Sequence, residues 1–296
     1  MQTYFQNKVA VVTGAASGLG LGFCERLLSL GARAVWMGDY NAAALKREAE
    51  RLGRAYPGKA YPVCADSMQR EAVEALIKRA AGESGALDFL FNNAGRPKTC
   101  PTARIPVGEF EDLIQLNYVG VMYGVMAALP IMLSQKSGHI VNTASCGGLL
   151  PTPFQAAYAS TKAAVITLTR SLAYEYHDTG LYFSQISPMN VATNIFLVEP
   201  ENNMRKAGLS PVEIEKRLKQ IKPPQGAMPL NDALDYIFTG LENKDVDIIL
   251  GRDGRDYYHD FCTDRAKFDR FALQLAASRR AFYEARERGE NPPFPG

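Results

Sequence analysis

The stretch Lys8–Gly20, KVAVVTGAASGLG, predicts a strand, a glycine-rich turn and the start of a helix. Lys8–Gly14 is short, rich in β-branched residues and stopped by a glycine, as in a buried strand. From Leu19 onward the apolar residues recur at roughly helical spacing, and Gly31 ends the helix. A strand that leads through glycines into a helix is the first unit expected of an α/β fold.

The three glycines of this turn predict a phosphate-binding site. Gly14 permits a tight turn, Gly18 allows close approach of a phosphate, and Gly20 lets the helix pack on the strand. A pyrophosphate would then lie at the positive N-terminus of the helix. The expected cofactor contacts in the turn are Gly14, Ser17, Gly18, Leu19 and Gly20.

Strands alternate with helices along the rest of the chain. Apolar segments predict strands at Ala34–Asp39, 60–66 and Val246–Leu250, and in LDFLFNN, GHIVNT and LYFSQIS. The alternation predicts an α/β fold, a single-domain, doubly wound parallel sheet of about seven strands with helices on both faces. We assign residues 1–251 to this domain, with a lid-like insert at 194–229, and residues 252–296 to a helical extension packed on it.

Asp39 closes the second predicted strand and favours NAD over NADP as the cofactor. A carboxylate there can accept hydrogen bonds from both hydroxyls of an adenosine ribose and would repel a 2′-phosphate. Capping of the following helix is an alternative role that Asp39 can hold at the same time. Arg33 precedes the same strand, and a cation there would soften the discrimination.

Polar residues also follow the other predicted strands, and they should meet at one edge of the sheet. Ligands of a doubly wound sheet bind outside the carboxyl ends of its strands. Asp66 and Ser67 are candidates for the adenine edge, with capping of the next helix as the alternative. Asn92–Gly95 predicts a stiff loop that ties strands together while bordering the cofactor. The cofactor contacts expected here are Asp66, Ser67, Asn93, Ala94, Gly95 and Pro188.

Chemistry is predicted in Ser145–Lys162, SCGGLLPTPFQAAYASTK. Tyr158 and Lys162 are four residues apart, so on a helix they share a face and point into one cleft. A nearby cation favours phenolate and so lowers the pKa of a phenol. Ser145 follows an apolar, strand-like run and adds a hydroxyl to this proton-transfer site. Alone, Y-x-x-x-K is a common pair on a solvated helix face. The glycine-rich start of the chain is the observation that favours a functional interpretation of the pair.

The ordered set of motifs resembles the short-chain dehydrogenase/reductase family over about Lys8 to Leu250. The likeness rests on TGAASGLG, Asp39, Asp66, NNAG, Asn117, Ser145, Tyr158-x-x-x-Lys162 and Pro188 to Thr193. It implies a Rossmann-like fold with Tyr158 as the acid/base. It also implies that Lys162 binds the nicotinamide ribose and lowers the pKa of the tyrosine. It further implies that Ser145 holds the substrate oxygen and that Asn117 supports a water-linked proton relay. Val191 and Thr193 would contact the carboxamide.

Met189 departs from the family, which has a glycine after the sixth strand. Its side chain would lie beside the nicotinamide or the substrate. Together with Phe154, the Leu149-Leu150 pair and the apolar start of the insert, Ile195–Val198, it predicts an apolar pocket under a mobile lid. The alternative is that these side chains belong to the core or to a subunit interface. The expected substrate contacts are Ser145, Phe154, Tyr158 and Met189.

The expected function is that of an NAD-dependent oxidoreductase interconverting a secondary alcohol and a ketone, on an apolar or aromatic substrate. A dihydrodiol dehydrogenase, or another reaction on the same fold, is an alternative. A non-catalytic NAD-binding regulatory protein is a second alternative, because fold does not determine function. Such relatives usually lose the serine, tyrosine or lysine, and Ser145, Tyr158 and Lys162 are all present.

Composition bounds the other classes of function. A net charge of +2 argues against a nucleic-acid or membrane partner. Five scattered cysteines without a C-x-x-C, and three histidines without metal-ligand spacing, predict no disulfide framework and no metal site. The expectation is a cytoplasmic enzyme with a small-molecule substrate. From the family resemblance, a homodimer or homotetramer built on the helices of Asn117 and Tyr158 is expected.

Overall fold

The computed structural model describes residues 4–193, 195, 197, 201, 204–205, 208–221, 223, 226–290, 292 and 294. Within them lies a seven-stranded sheet of order β3-β2-β1-β4-β5-β6-β7 in which all neighbours are parallel. The strands are β1 Val9–Thr13, β2 Ala34–Asp39, β3 Ala60–Cys64, β4 Phe89–Asn92, β5 Gly138–Thr143, β6 Leu181–Ser187 and β7 Asp247–Ile249. The predicted fold class is confirmed, although β3 ends at Cys64 and not at Asp66.

The helices lie on both faces of the sheet. On one face α1 (Gly18–Ser29), α2 (Ala42–Ala55) and α9 (Leu230–Asn243) pack in one apolar cluster with β1, β4 and β6. On the other face α3 (Arg70–Ser84), α5 (Gly120–Gln135) and α7 (Ala156–Glu175) contribute to a second cluster. Because β1 and β4 are neighbours at the centre, the chain direction across the sheet reverses between them, where such sheets bind ligands.

A long helical segment runs from Val107 to Gln135. It consists of α4 (Val107–Ile114), a π-helical turn (Gln115–Val119) and α5. By length and composition alone it resembles a membrane span. In the fold it is a core helix, because Val121, Val125 and Met132 are buried against the sheet.

The C-terminal residues form α10 (Arg252–Thr263) and α11 (Arg265–Glu287). Phe268 of α11 is buried in the second cluster with Leu149 and Leu150. The sequence allowed these two leucines to form either a pocket wall or part of the core. Their burial beside Phe268 makes them core residues. They come from the short helix α6 (Cys146–Leu149) and its C-cap.

The insert after β6 is closed at its base, where Val191 pairs with Met228 in an isolated parallel bridge. It contains α8 (Pro211–Leu218), which begins with a capping box between Ser210 and Glu213. Much of the apolar run at 195–198, including positions 196 and 198, lies outside the described residues. The lid therefore stays a prediction.

A buried chain of amides joins β4, β5 and α7. Asn92 Nδ2 donates to Asn142 Oδ1 at 2.9 Å, and Asn142 Nδ2 donates to Thr169 Oγ1 at 2.9 Å. Gly124 of α5 packs directly on Asn92, because a Cβ built on the glycine would lie 2.0 Å from Asn92 Oδ1. Helix α5 thus approaches the sheet closely enough to exclude any side chain at this position.

We expect Gly124→Ala to lower the free energy of unfolding by ~1–3 kcal/mol, since the added methyl must displace an amide held by buried hydrogen bonds. Gly82→Ala in α3 is the matched control. A Cβ at Gly82 meets no atom within 4 Å, so this change should stabilise by up to ~1 kcal/mol through helix propensity. Urea unfolding measures both variants, and equal stabilities would contradict the packing described.

Candidate active site

The glycine turn after β1 has the conformation that its sequence predicts. Gly14 and Gly18 have positive φ values of 65° and 56°. A Cβ on Gly20 would lie 2.1 Å from Gly14 O, so only glycine allows α1 to approach the turn. Ser17 is the N-cap of α1 but makes no side-chain capping bond, which leaves the first N–H groups of the helix open to an anion.

The turn is tied to the loop after β4 by Thr13 and Asn93. Thr13 Oγ1 accepts from Asn93 N at 2.9 Å and from Ala94 N at 3.1 Å. Asn93 Nδ2 donates to Thr13 O at 3.1 Å and Gly14 O at 3.4 Å. The predicted role of this asparagine loop in joining strands is present in the structure.

Asp39 lies at the end of β2 beside the same turn, with 8% of its surface exposed. Its Oδ2 accepts from Ala16 N at 3.0 Å and its Oδ1 from Asn41 N at 2.9 Å. The helix-capping alternative is wrong for this residue, because Asn41 is the N-cap of α2. The expected effect of Arg33 is also wrong. Arg33 lies six residues before Asp39, beyond the other end of β2 and roughly 20 Å away at the rise of a strand. Its Nη1 donates to Ser84 O.

Asp66 and Ser67 follow β3 along the same edge. Asp66 Oδ1 accepts from Met68 N at 2.9 Å, and the N-cap of α3 is Gln69, so neither Asp66 nor Ser67 caps that helix. The Ser67 backbone meets the start of α5, since a Cβ on Gly120 would lie 2.6 Å from Ser67 O. Both residues stay candidates for contact with an adenine.

Asn117 is fully buried in the π-helical turn. Its Oδ1 accepts from Arg96 N at 2.9 Å, and its Nδ2 donates to Arg96 O at 3.0 Å. With these two hydrogen bonds, the Asn117 amide holds the loop after Gly95 in place. A Cβ on Gly95 would lie 3.1 Å from Asn117 Oδ1 and 3.3 Å from Lys162 Nζ, which brings the asparagine and the lysine to one point.

Lys162 reaches from α7 to the end of β5. It is 3% exposed, and its Nζ donates to Thr143 O at 2.7 Å. Burial lowers the pKa of Lys162 to about 8, so the ammonium loses its proton more readily than a solvated lysine does. The lysine is thus anchored on backbone beside Gly95 and Asn117.

Tyr158 and Ser145 lie side by side, since a Cβ built on Gly147 would be 3.6 Å from Tyr158 Cε1 and 3.5 Å from Ser145 Oγ. Burial raises the pKa of Tyr158, and the neighbouring Ser145 hydroxyl lowers it by a smaller amount. The expectation that Lys162 acidifies the phenol is wrong for the protein groups alone. Lys162 Nζ lies 6.0 Å from the Tyr158 ring centroid, and desolvation of the buried phenol is the larger effect. Ser145 Oγ also accepts from Gly147 N, which fixes its position at the start of α6.

The loop after β6 closes this edge of the sheet. Pro188 O accepts from Cys146 N at 3.0 Å, so the loop is bonded to the residue after Ser145. Thr193 lies beside the glycine turn, 3.7 Å from a Cβ built on Gly18. Val191 is buried.

Met189 and Phe154, the predicted substrate contacts, both face the C-terminal extension. Met189 is 36% exposed and lies against Gly251 and Gly254 at the start of α10. Phe154 has a positive φ of 65° and stacks on Tyr283 of α11, with ring centroids 5.4 Å apart. The sequence separates these partners by more than sixty residues, so only the fold shows that the extension borders the site.

The described residues hold no group of three or more histidine, cysteine or carboxylate side chains arranged for a metal ion. The open N-terminus of α1, the positive-φ glycines and the carboxylate after β2 fit a dinucleotide, with its pyrophosphate on the turn and a ribose on Asp39. The half-buried serine and the buried tyrosine and lysine can hold an oxygen and move a proton beside it.

A family model described as short chain dehydrogenase matches residues 8–203. The chain belongs to this family. An uncharacterized oxidoreductase of Staphylococcus aureus (strain MW2) is 37% identical over 212 residues, covering 72% of this chain and 89% of that one. The expected family resemblance is therefore confirmed, and the protein is a short-chain dehydrogenase/reductase oxidoreductase.

Two solved structures resemble the short-chain dehydrogenase/reductase described here. A short chain dehydrogenase/reductase from Burkholderia phymatum in complex with NAD has a TM-score of 0.72 at 28% identity and covers 99% of this chain and 98% of its own. Levodione reductase has a TM-score of 0.68 at 29% identity, covering 83% and 95%. The first of these likenesses extends over the C-terminal helices as well as the sheet.

One residue of the site was missed by sequence reasoning. Gln155, the N-cap of α7, places its Oε1 3.6 Å from the point where a Cβ of Gly147 would lie, and Ser145 Oγ is 3.5 Å from that point. An amide three residues before the tyrosine was the available signal. The proximity of this amide to Ser145 becomes visible only when α6 and α7 are packed together.

Proposed function

We propose that this short-chain dehydrogenase/reductase is an NAD-dependent enzyme that interconverts a secondary alcohol and a ketone on a largely apolar or aromatic substrate. The observation that carries the proposal is the placement of the Ser145 hydroxyl beside the buried Tyr158, with the buried Lys162 and Asn117 close to each other at Gly95. A regulatory protein that only binds NAD has no use for such a serine–tyrosine pair. The pair is built for an oxygen that changes its protonation state.

In oxidation, Tyr158 accepts the proton of the substrate hydroxyl while Ser145 donates a hydrogen bond to the same oxygen. A bound nicotinamide would supply the acceptor for the carbinol hydride. In reduction the phenol returns its proton to the developing alkoxide. Lys162, held on Thr143 O, lies where it can bind a ribose and keep positive charge near the site.

Asp39 and the glycine turn support NAD as the proposed cofactor. The carboxylate is next to the turn and keeps its place through two backbone N–H groups. Arg33, the one cation that the sequence suggested as a 2′-phosphate partner, is bonded at the other end of β2. A negative charge without that cation disfavours NADP.

Tyr158→Phe should lower turnover by about 10²–10⁴ while NADH affinity is kept, because the variant removes the proton-transfer group and little volume. NADH absorbance with a panel of secondary alcohols measures turnover, and fluorescence titration measures binding. Tyr61→Phe is the control, since that hydroxyl donates to Gly58 O on the surface beside β3.

The pH dependence follows from the raised pKa of Tyr158. The fraction of Tyr158 in the base form increases as the pH approaches that pKa, so wild-type oxidation should rise into alkaline pH. Reduction needs the acid form and should fall there. Near-wild-type turnover in Tyr158→Phe would contradict the assignment. So would loss of the alkaline rise in the control.

Wild type should have a higher kcat/KM with NAD than with NADP on one substrate. Asp39→Asn removes the charge and keeps one acceptor for the backbone, so the preference should shift toward NADP with the turn intact. Asp39→Ala should shift the preference equally but weaken both cofactors, because Ala16 N and Asn41 N lose their acceptor. A wild-type enzyme that prefers NADP, or uses both equally, would refute the proposal.

We also propose a soluble cytoplasmic homo-oligomer that pairs through α5 and α7. Met126 on α5 is 63% exposed and Tyr174 on α7 is 80% exposed. A shallow, largely apolar groove runs along α7, and it is lined by Tyr118, Ala163, Ala164, Thr167, Leu168 and Ser171. An equivalent face on a second copy is the occupant that fits.

Sedimentation velocity at micromolar concentration should show a dimer or tetramer, and Ala164→Arg should shift it to smaller species by placing a charge in the groove. Ala55→Arg, on the exposed end of α2, is the control for the same change on an open surface. A monomeric wild type would rule this assembly out.

A further inference from the structure

Gly147 leaves a small space beside the catalytic pair. A Cβ built on this glycine would lie 3.5 Å from Ser145 Oγ, 3.6 Å from Tyr158 Cε1 and 3.6 Å from Gln155 Oε1. The three side chains therefore surround one point from different sides. Two of them belong to the proton-transfer site, and the third is an amide with no assigned role in it.

The amide of Gln155 is oriented by the loop on its other side. Its Nε2 donates to Thr99 Oγ1 at 2.9 Å. This bond engages the donor end of the amide, and the acceptor Oε1 is the atom that lies near the point shared with Ser145 and Tyr158. The group presented to the site is thus a hydrogen-bond acceptor.

Helix α11 holds both loops that set this geometry. Tyr283 OH donates to Thr99 O at 2.6 Å, and Arg279 Nη1 donates to Pro153 O at 2.6 Å. Tyr283 also stacks on Phe154, whose left-handed backbone is unusual for a bulky residue. The two residues before Gln155, and its partner Thr99, are therefore held by the C-terminal extension.

We infer that Gln155 is a specificity-determining residue that accepts a hydrogen bond from a donor next to the reacting carbon, so that the substrates are vicinal diols or their hydroxy ketones. The inference rests on the proposed function and names the substrate class of the same site. A hydroxyl on the neighbouring carbon is close enough to the reacting oxygen for one group to meet Ser145 and Tyr158 while the other meets Gln155 Oε1.

A hydrogen-bond acceptor at Gln155 Oε1 disfavours two other types of substrate. A substrate that presents only an ether or carbonyl oxygen at this point would leave Gln155 Oε1 facing another acceptor. A purely apolar substituent would remove water from the amide oxygen without replacing its hydrogen bond. The rest of the substrate can still be apolar, since Met189 and Phe154 border the same space.

The test compares three probes that share one carbinol: phenylethanol, phenylethanediol and the methyl ether of the diol at its primary oxygen. The ether matches the diol in electron withdrawal and exceeds it only by a methyl group, but it cannot donate. Wild type should oxidise the secondary carbinol of the diol with a kcat/KM ~10–100-fold above that of the ether. Vicinal cyclohexanediol and its monomethyl ether repeat the comparison without an aromatic ring.

Gln155→Leu should reduce the diol-to-ether ratio to about one, because the acceptor is gone. Gln155→Glu keeps an acceptor of the same length and should retain a preference for the diol. Its negative charge should also raise the pKa of Tyr158 and move the alkaline rise of oxidation to higher pH. Gln274→Leu, an exposed position on α11, is the control for the substitution and should keep the wild-type ratio.

Equal kcat/KM values for diol and ether in wild type, or a ratio unchanged in Gln155→Leu, would overturn the inference and leave the proposed function standing. Absence of NADH formation with every alcohol, in a protein that binds NADH and melts cooperatively, would overturn both. A preference for the diol that is lost in Gln155→Leu and retained in Gln155→Glu supports the inference.

Discussion

The hydrogen bonds between Thr13 and Asn93 are the constraint on which the rest of the site depends. They join the ends of β1 and β4, where the strand order reverses and the crevice of a doubly wound sheet opens. Asn93 also contacts Gly14 O, so the phosphate turn and the loop before Asn117 are held as one unit. These hydrogen bonds therefore fix the position of the N-terminus of α1 relative to the proton-transfer residues.

Burial has two opposite effects within this frame. It strengthens any hydrogen bond that Tyr158 and Lys162 make, because water competes little for buried groups. It also raises the pKa of Tyr158 and lowers that of Lys162, since neither charged form is favoured in a dry site. The protein groups alone thus keep the phenol protonated, and this suits reduction at neutral pH. Oxidation then needs either alkaline conditions or added positive charge near the phenol.

The C-terminal helices contribute a second boundary to the site. Gly251 and Gly254 at the start of α10 lie against Met189, and Tyr283 of α11 lies against Phe154. Phe268 anchors the same helix in the core beside α6, the helix that Ser145 caps. The edge of the sheet that carries Ser145 and Tyr158 is therefore bordered by the packed C-terminal helices.

The sequence by itself determined the α/β class, the glycine turn and the members of the serine–tyrosine–lysine set, because strand and helix periodicities and a four-residue spacing are local properties. Bonds between distant segments were decided by the tertiary structure. It showed that Asp39 does not cap a helix and that Arg33 lies far from Asp39. It also placed Leu149 and Leu150 in the core and Gln155 near Ser145. The direction of the Tyr158 pKa also depended on it, since a neighbouring charge can be read from spacing, whereas desolvation depends on everything packed around the group.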